Sequence, residues 1–201
     1  MAKKANILYS DQIYLTESGH RYPADISCTQ VFKGDIPVHF RVIRSSDEED
    51  MRKLFYRFSN QAVYHRYFSP IKTMPHITTQ EYVNIDYRHI LSIVGLIEES
   101  GVERIIAEGR YALSKDRPYG DVAFVVDEKY QNLGIGSFLL EMLIKIARKR
   151  GIAGFTADVL TENKPMLKVF EKTPFPMHAV VRSGAYELTI PVCFQGVLKR
   201  A

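Results

Sequence analysis

One short stretch constrains this chain more than any other. An unbroken apolar run, Val122-Ala123-Phe124-Val125-Val126, is followed by Asp127-Glu128-Lys129-Tyr130 and then by Gln131-Asn132-Leu133-Gly134-Ile135-Gly136-Ser137. From Ile135 the apolar spacing turns helical, with Phe138, Leu139, Met142, Leu143, Ile146 and Ala147 on one face and Gly151 as the stop. The run before the turn reads as a buried strand. Strand, glycine turn and helix in this order make an anion site. A helix opens with about four backbone N–H groups lacking partners and with partial positive charge. Glycines let a phosphate approach the backbone with no β-carbon in the way. The segment lacks the Lys-Ser/Thr pair of a triphosphate loop and the third glycine of a dinucleotide fingerprint. Taken alone, the glycines fit several anions, or a helix start that binds nothing.

The rest of the chain supplies an α/β frame. Ile26 to Phe32 and Ile36 to Ile43 predict a hairpin around Lys33-Gly34-Asp35. Ser45-Ser46-Asp47-Glu48-Glu49-Asp50 opens a helix, with hydroxyls for the cap and acids in the first turn, and Ser59 to Phe68 predicts a second. Pro70 to about Thr79 reads as a loop, Ile90 to Glu98 and Arg104 to Leu113 as antiparallel neighbours, and Asp116-Arg117-Pro118-Tyr119-Gly120 as a turn. Ile152 to Leu160 is a strand, Thr161-Glu162-Asn163-Lys164-Pro165 starts a short helix, and strands near Met177 to Arg182 and Tyr186 to Val192 complete the set. The expected fold is one α/β domain: a central, mixed, mostly antiparallel sheet with helices on both faces. An N-terminal arm and first hairpin strand (1–35) precede the main domain (36–195) and a short tail (196–201). The arm has turn signals at Ser18-Gly19 and Pro23, and could add to the sheet edge or mediate a dimer.

Several classes fall away on composition. With 46% hydrophobic and 25% charged residues the chain is neither disordered nor fibrous. No apolar run reaches the roughly 20 residues of a membrane span, and the apolar stretch after Lys3-Lys4 is too short for a secretory signal, so the expectation is a cytoplasmic protein without a membrane partner. Cys28 and Cys193 show no metal spacing and read as reduced thiols; the scattered histidines predict no metal site. The one dense basic cluster, Lys145 with Arg148-Lys149-Arg150, closes the helix after the glycine turn, where cations complement the dipole. It gives no nucleic-acid signature, though a basic rim favours anionic phosphates.

The whole glycine segment is more specific than its glycines. Q-x-x-G-x-G after a strand ending in two valines, then Phe138-Leu139-Leu140, resembles the cofactor motif of the GNAT superfamily of acetyltransferases. The resemblance covers roughly residues 38 to 191 and looks closest to the domain of bacterial protein lysine acetyltransferases. Arg41-Val42-Ile43-Arg44, Tyr64-His65-Arg66-Tyr67-Phe68, Gly109-Arg110-Tyr111 and Asp121-Val122-Ala123-Phe124-Val125-Val126 carry that closer likeness.

What it implies is a set of roles. Acetyl-coenzyme A is the cofactor, and Gln131, Asn132, Leu133, Gly134, Ile135, Gly136 and Ser137 form the turn around its pyrophosphate. The sheet splits between its fourth and fifth core strands, and the edge of Phe124, Val125 and Val126 pairs with the pantetheine arm as an added strand. Asn163 matches a position that often hydrogen-bonds the cofactor; Met166 and Phe170 line its far side. Helix start and helix core are the alternative roles of these three. The reaction is acetyl transfer to a primary amine, a protein lysine by the closer likeness. A lysine amine has a pKa near 10.4 and must lose a proton. Asp121 is the candidate base, one methylene shorter than the glutamate common at this position in the lysine acetyltransferases; its alternative is a turn aspartate. Glu108 is the reserve. Phe170 stands where many relatives carry the tyrosine that protonates the leaving thiolate. A catalytically weak acyl-coenzyme A sensor is therefore the competing reading, and the chain leaves monomer or homodimer open.

Overall fold

The computed structural model describes residues 14–15, 21–114 and 118–193, the first pair as backbone only. Tyr14–Leu15 (β1) and Arg21–Tyr22 (β2) form a small antiparallel ribbon. The other strands form one sheet of eight. They are Ser27–Phe32 (β3), Ile36–Val42 (β4), Ile90–Glu99 (β5), Val102–Leu113 (β6), Tyr119–Val126 (β7), Gly154–Leu160 (β8), His178–Arg182 (β9) and Ala185–Pro191 (β10). The spatial order is β3-β4-β5-β6-β7-β8-β10-β9. Every pairing is antiparallel except β7 with β8. The expected mixed sheet is thus present, with the N-terminal hairpin as one edge. The Ser18-Gly19 turn and the 196–201 tail lie outside the described residues, as do Asp116 and Arg117 of the Asp116–Gly120 turn; β7 already begins at Tyr119.

Helices cover both faces. Glu48–Arg57 (α1), Asn60–Tyr67 (α2) and His76–Val83 (α3) lie on one face, while Ile135–Lys149 (α4) and Lys164–Glu171 (α5) lie on the other. α4 buries Ile135, Leu139, Leu140, Met142, Leu143, Ile144 and Ala147, a wider stripe than a single helical face, because it crosses the middle of the sheet. No helix among the described residues is long and apolar enough to cross a membrane.

Two local expectations needed correction. Ser45 and Ser46 do not cap α1; they start a 3-10 turn, and Asp47 turns inward instead. Its carboxylate takes two hydrogen bonds from Arg41, at 2.6 and 2.8 Å, and one from the Arg44 amide at 2.7 Å. This buried fork-to-fork pair locks β4 to the start of α1. The second correction is α3, which occupies the end of the predicted loop. It opens after Pro75 and buries only Thr79 and Val83, while Ile77 is exposed, so it has no apolar stripe for a sequence pattern to reveal. The cysteines are both free. In the basic cluster, Arg150 donates to the Tyr87 carbonyl at 2.7 Å and the Tyr111 hydroxyl at 2.8 Å, a tie between α4 and the sheet.

Candidate functional site

The parallel pair β7–β8 is where the sheet opens. Their register holds only for Tyr119↔Gly154, Gly120↔Phe155 and Asp121↔Thr156. Beyond Asp121 the strands part: β7 stays paired with β6 as far as Val126, and β8 stays paired with β10 as far as Leu160. The result is a fork with its apex at Asp121 and with Val122–Val126 as an open edge inside the sheet. Phe124 and Val125 are buried along it and Val126 is half-buried. The carbonyl of Val126 accepts from Gln131 Nε2 at 3.0 Å, so the Gln131 side chain braces the turn against the strand.

At the end of β7 the chain is held rigidly. Asp127, nearly fully buried, accepts from Arg57 Nε at 2.7 Å and from the Lys129 amide at 3.2 Å, while its own amide donates to the Ile106 carbonyl at 2.7 Å. Asn132 and Gly134 then take positive φ, 60° and 98°, which turns the chain sharply into α4. The helical ladder starts with Phe138 N–H donating to the Gly134 carbonyl at 3.0 Å, so the amides of Ile135, Gly136 and Ser137 stand ahead of it. A β-carbon on Gly136 would meet Val169 at 3.4 Å and Val126 at 4.0 Å, filling the space between the first turn of α4, α5 and the open edge. Amides without ladder partners, a cradle free of β-carbons and an unpaired strand edge fit an acyl-coenzyme A: pyrophosphate at the helix start, pantetheine along the strand. Leu133 packs against the core and holds the turn down.

The α5 residues divide between the two roles open to them. Asn163 caps α5, its Oδ1 accepting from the Met166 amide at 3.2 Å. Phe170 is fully buried, its ring edge-on to Phe124 at 5.9 Å, and Met166 is partly buried against the same cluster. The visible partners of all three are structural.

The opposite face carries the charge. Asp121 is exposed at the apex, with Thr156 Oγ1 donating to it at 3.4 Å. Strand alternation puts Asp158 on the same face, also exposed. Although its side chain reaches solvent, partial desolvation by the surrounding strands pushes the Asp121 carboxyl up, and the negative charge of Asp158 adds to this, against smaller opposing effects of Thr156 and Arg66. Glu108 is the opposite case. It is fully buried and accepts from Ser92 Oγ at 2.7 Å and Arg110 Nε at 2.6 Å, with Arg66 at 3.7 Å. Burial alone would raise its carboxyl; the two guanidiniums and the hydroxyl outweigh it and hold the group below the usual range. Arg110 also donates to the Tyr82 carbonyl at 2.8 Å and lies over the Tyr82 ring, while Arg66 lies over Tyr67 and keeps a buried Nε without a partner among the described residues. Sequence reasoning missed Ser92, Arg110 and Asp158 as members of this group; period-2 alternation from Thr156 is the one signal that could have found Asp158.

Comparison with known proteins agrees with this geometry. The profile described as "Acetyltransferase (GNAT) family" matches residues 57–175, more than half of the chain. Acetyltransferase PA5475 of Pseudomonas aeruginosa is 29% identical over 114 residues, which is 57% of this chain and 61% of that protein. Acetyltransferase Pat of Mycolicibacterium smegmatis is 34% identical over 117 residues, 57% of this chain and 34% of that protein. The match thus spans less than two thirds of either relative's length. Among solved structures, the GNAT domain of S. lividans PAT superposes with a TM-score of 0.75 at 25% identity, over 85% of this chain and 99% of that one.

Proposed function

The chain belongs to the acetyltransferase (GNAT) family, and from that premise we propose that it transfers an acetyl group from acetyl-coenzyme A to a primary amine, a protein lysine first among them, with both substrates held together on the fork. The observation that carries this reading is the β7–β8 fork opening beside the glycine-free-of-side-chain start of α4. Acetyl-coenzyme A, when bound, supplies an acyl group already activated as a thioester. The amides of Ile135, Gly136 and Ser137 hold its pyrophosphate, with Gln131, Asn132, Leu133 and Gly134 shaping the turn. The edge of Phe124, Val125 and Val126 pairs with the pantetheine arm. An amide of this edge that faces the fork is the donor for the charge developing on the acyl oxygen.

Asp121 takes the proton from the amine. It sits at the apex, on the face away from α4, and its raised pKa makes it a stronger base than an ordinary aspartate. Asp158 beside it adds negative charge that favours an arriving ammonium. Glu108, already engaged by two arginines and a serine, serves as the anchor of the acceptor wall instead. The lysine preference rests on the likeness of Tyr64–Phe68, Gly109–Tyr111 and Asp121–Val126 to lysine acetyltransferase segments.

A second reading draws on one observation. Phe170, at the position of the usual acid, carries no proton donor and is buried against Phe124, which suits a domain that binds acyl-coenzyme A and transfers little. Thiol release from acetyl-coenzyme A, measured with lysine peptides and small amines for wild type and Asp121→Ala, separates the two. Turnover that collapses in the variant is the expected result. Tight coenzyme A binding with no turnover on any acceptor would leave the sensor reading standing, and absence of binding would remove both.

A further inference from the structure

Between α1 and the start of β6 lies a groove of about 420 Å³, none of whose lining residues belongs to the fork. That volume falls within the range of small-molecule sites. Its charged lining is mostly cationic: Arg52, Lys53, Arg57 and Arg104 against Asp50 and Glu103. The Arg57 and Arg104 side chains are only 23% and 26% exposed and form the floor, while Arg52 and Lys53, at 42% and 59%, stand at the rim. Of the two acids, Asp50 is paired with Lys53 at 3.1 Å and Glu103 is exposed. The floor is joined to the root of the glycine turn. Arg57 donates to Asp127 Oδ2 at 2.7 Å and to the Ile105 carbonyl at 2.5 Å, which leaves its Nη1 without a hydrogen bond among the described residues. Arg104 Nη2 stands 3.7 Å from the same Asp127 oxygen. Asp127 in turn shapes the short Glu128–Tyr130 turn that leads to Gly134, accepting from the Lys129 amide at 3.2 Å. A second route runs from Arg104 to Glu99, which also accepts from the Tyr130 hydroxyl at 2.7 Å.

We infer that this groove is a second anion site, separate from the cofactor's, that takes a small phosphate monoester and weakens coenzyme A binding when filled. The coupling rests on the cofactor reading of the glycine turn; the ligand class rests on the groove alone. A phosphate monoester brings about −1.5 to −2 charges at neutral pH and three acceptor oxygens. Guanidiniums match such oxygens with their forked donors. Inorganic phosphate would leave much of the volume empty, and the walls suit an organic body: the exposed Tyr56 ring and Val102 supply apolar surface. A phosphate on the floor competes with Asp127 for the same two guanidiniums and sets negative charge beside its carboxylate. Asp127 then loosens, and with it the turn that presents the amides of Ile135, Gly136 and Ser137. By linkage, coenzyme A weakens the binding of the monoester by the same factor.

The test is a calorimetric titration of the full chain with coenzyme A at a series of fixed phenyl phosphate concentrations and constant ionic strength. The apparent Kd for coenzyme A is expected to rise about tenfold and then level off, within the usual span of coupling between two sites. A rise without limit would mean competition at the glycine turn itself, and no rise would mean no coupling; either result overturns the inference. Inorganic phosphate acting as strongly as phenyl phosphate would reduce the effect to a salt effect and overturn the ligand class. The double variant Arg52→Ala/Lys53→Ala removes two rim cations that touch neither Asp127 nor the turn. It should abolish the response to phenyl phosphate while keeping coenzyme A affinity without the anion within about twofold, as expected for exposed charges. A response equal to wild type overturns the groove as the site. If wild type binds no coenzyme A, the cofactor reading fails, and direct titration with phenyl phosphate still decides the groove: binding by wild type and not by the double variant upholds it, and any other pattern overturns it.

Discussion

The two faces of the fork are made of different materials. On the α4 face the groups proposed to meet a ligand are backbone: the amides of Ile135, Gly136 and Ser137 and the open edge of β7. On the α2 face they are side chains, Asp121 and Asp158 in the open and Arg66, Arg110 and Glu108 behind them. A backbone site depends on a few torsions and on the absence of β-carbons. A side-chain site depends on each group's charge and partners. Damage to one face should therefore read out as lost cofactor affinity, and damage to the other as lost turnover, acceptor choice or stability.

The sharpest contrast comes from Asp121→Ala, expected to lower kcat by about 10²–10⁴, the usual range for a lost general base, while calorimetry finds the same coenzyme A affinity. A parallel fall in affinity would break the division between the faces. Next is Glu108→Ala, which leaves Arg110 and Arg66 without their buried counter-charge; loss of one partner from such a pair costs about 3–5 kcal/mol, to be read from urea unfolding. An unchanged unfolding midpoint would mean that the acceptor wall is not anchored there. Gly134→Val forces a branched residue to φ 98°, at about 1–3 kcal/mol. Coenzyme A affinity should fall about 10- to 100-fold, and the preference among amine acceptors should not move.

Two smaller effects involve pH. Asp158→Asn removes a negative charge that disfavours the Asp121 carboxylate, so the acid limb of the kcat/KM profile should move to lower pH; a shift upward would contradict the assignment of Asp121. Asp86 belongs to neither face and sets the baseline. Burial would raise its carboxyl, but the amides of Ile90, Arg88 and His89 and the His89 ring outweigh it and hold it at about 2. With an unfolded value of about 3.9, its stabilisation is whole above about pH 4 and is lost as pH falls through about 2. Asp86→Asn should flatten the fall of melting temperature over that window and leave kinetics near neutrality alone.

The same difference of materials decides what could be read in advance. Gly134 and Gly136 announce the turn, Gly134 because its φ of 98° disfavours any side chain, and the strand before them and the helix after them follow from apolar period alone. Residues at the acceptor wall give no such signal. Arg66 and Glu108 lie on elements far apart in the chain, and nothing in either segment names the other. Ser92 interrupts an apolar run with a hydroxyl whose partner lies on another strand: it is fully buried and bonded to Glu108. α3 stayed hidden for want of an apolar stripe, and the serines before α1 suggested a cap that Asp47 declined in favour of Arg41. Gln131, expected in the phosphate turn, also donates its amide nitrogen to the Val126 carbonyl, a brace that no motif announces.

An unpaired strand edge is ordinarily a hazard, a template on which a second molecule can lay its own strand and begin to aggregate. Most proteins carry such edges at the rim of a sheet and blunt them with charge or proline. Here an apolar edge, Val122–Val126, lies in the middle of the sheet, with β8 on the other arm, α4 and α5 on one face and, on the other, α2, bonded through Ser59 to Glu128 and through His65 to Glu162. A polypeptide strand would bring side chains against both of these layers. A chain without side chains brings none. On the proposed reading, the fork thus keeps a β-pairing surface for a ligand inside the sheet, away from the rim where neighbouring molecules meet.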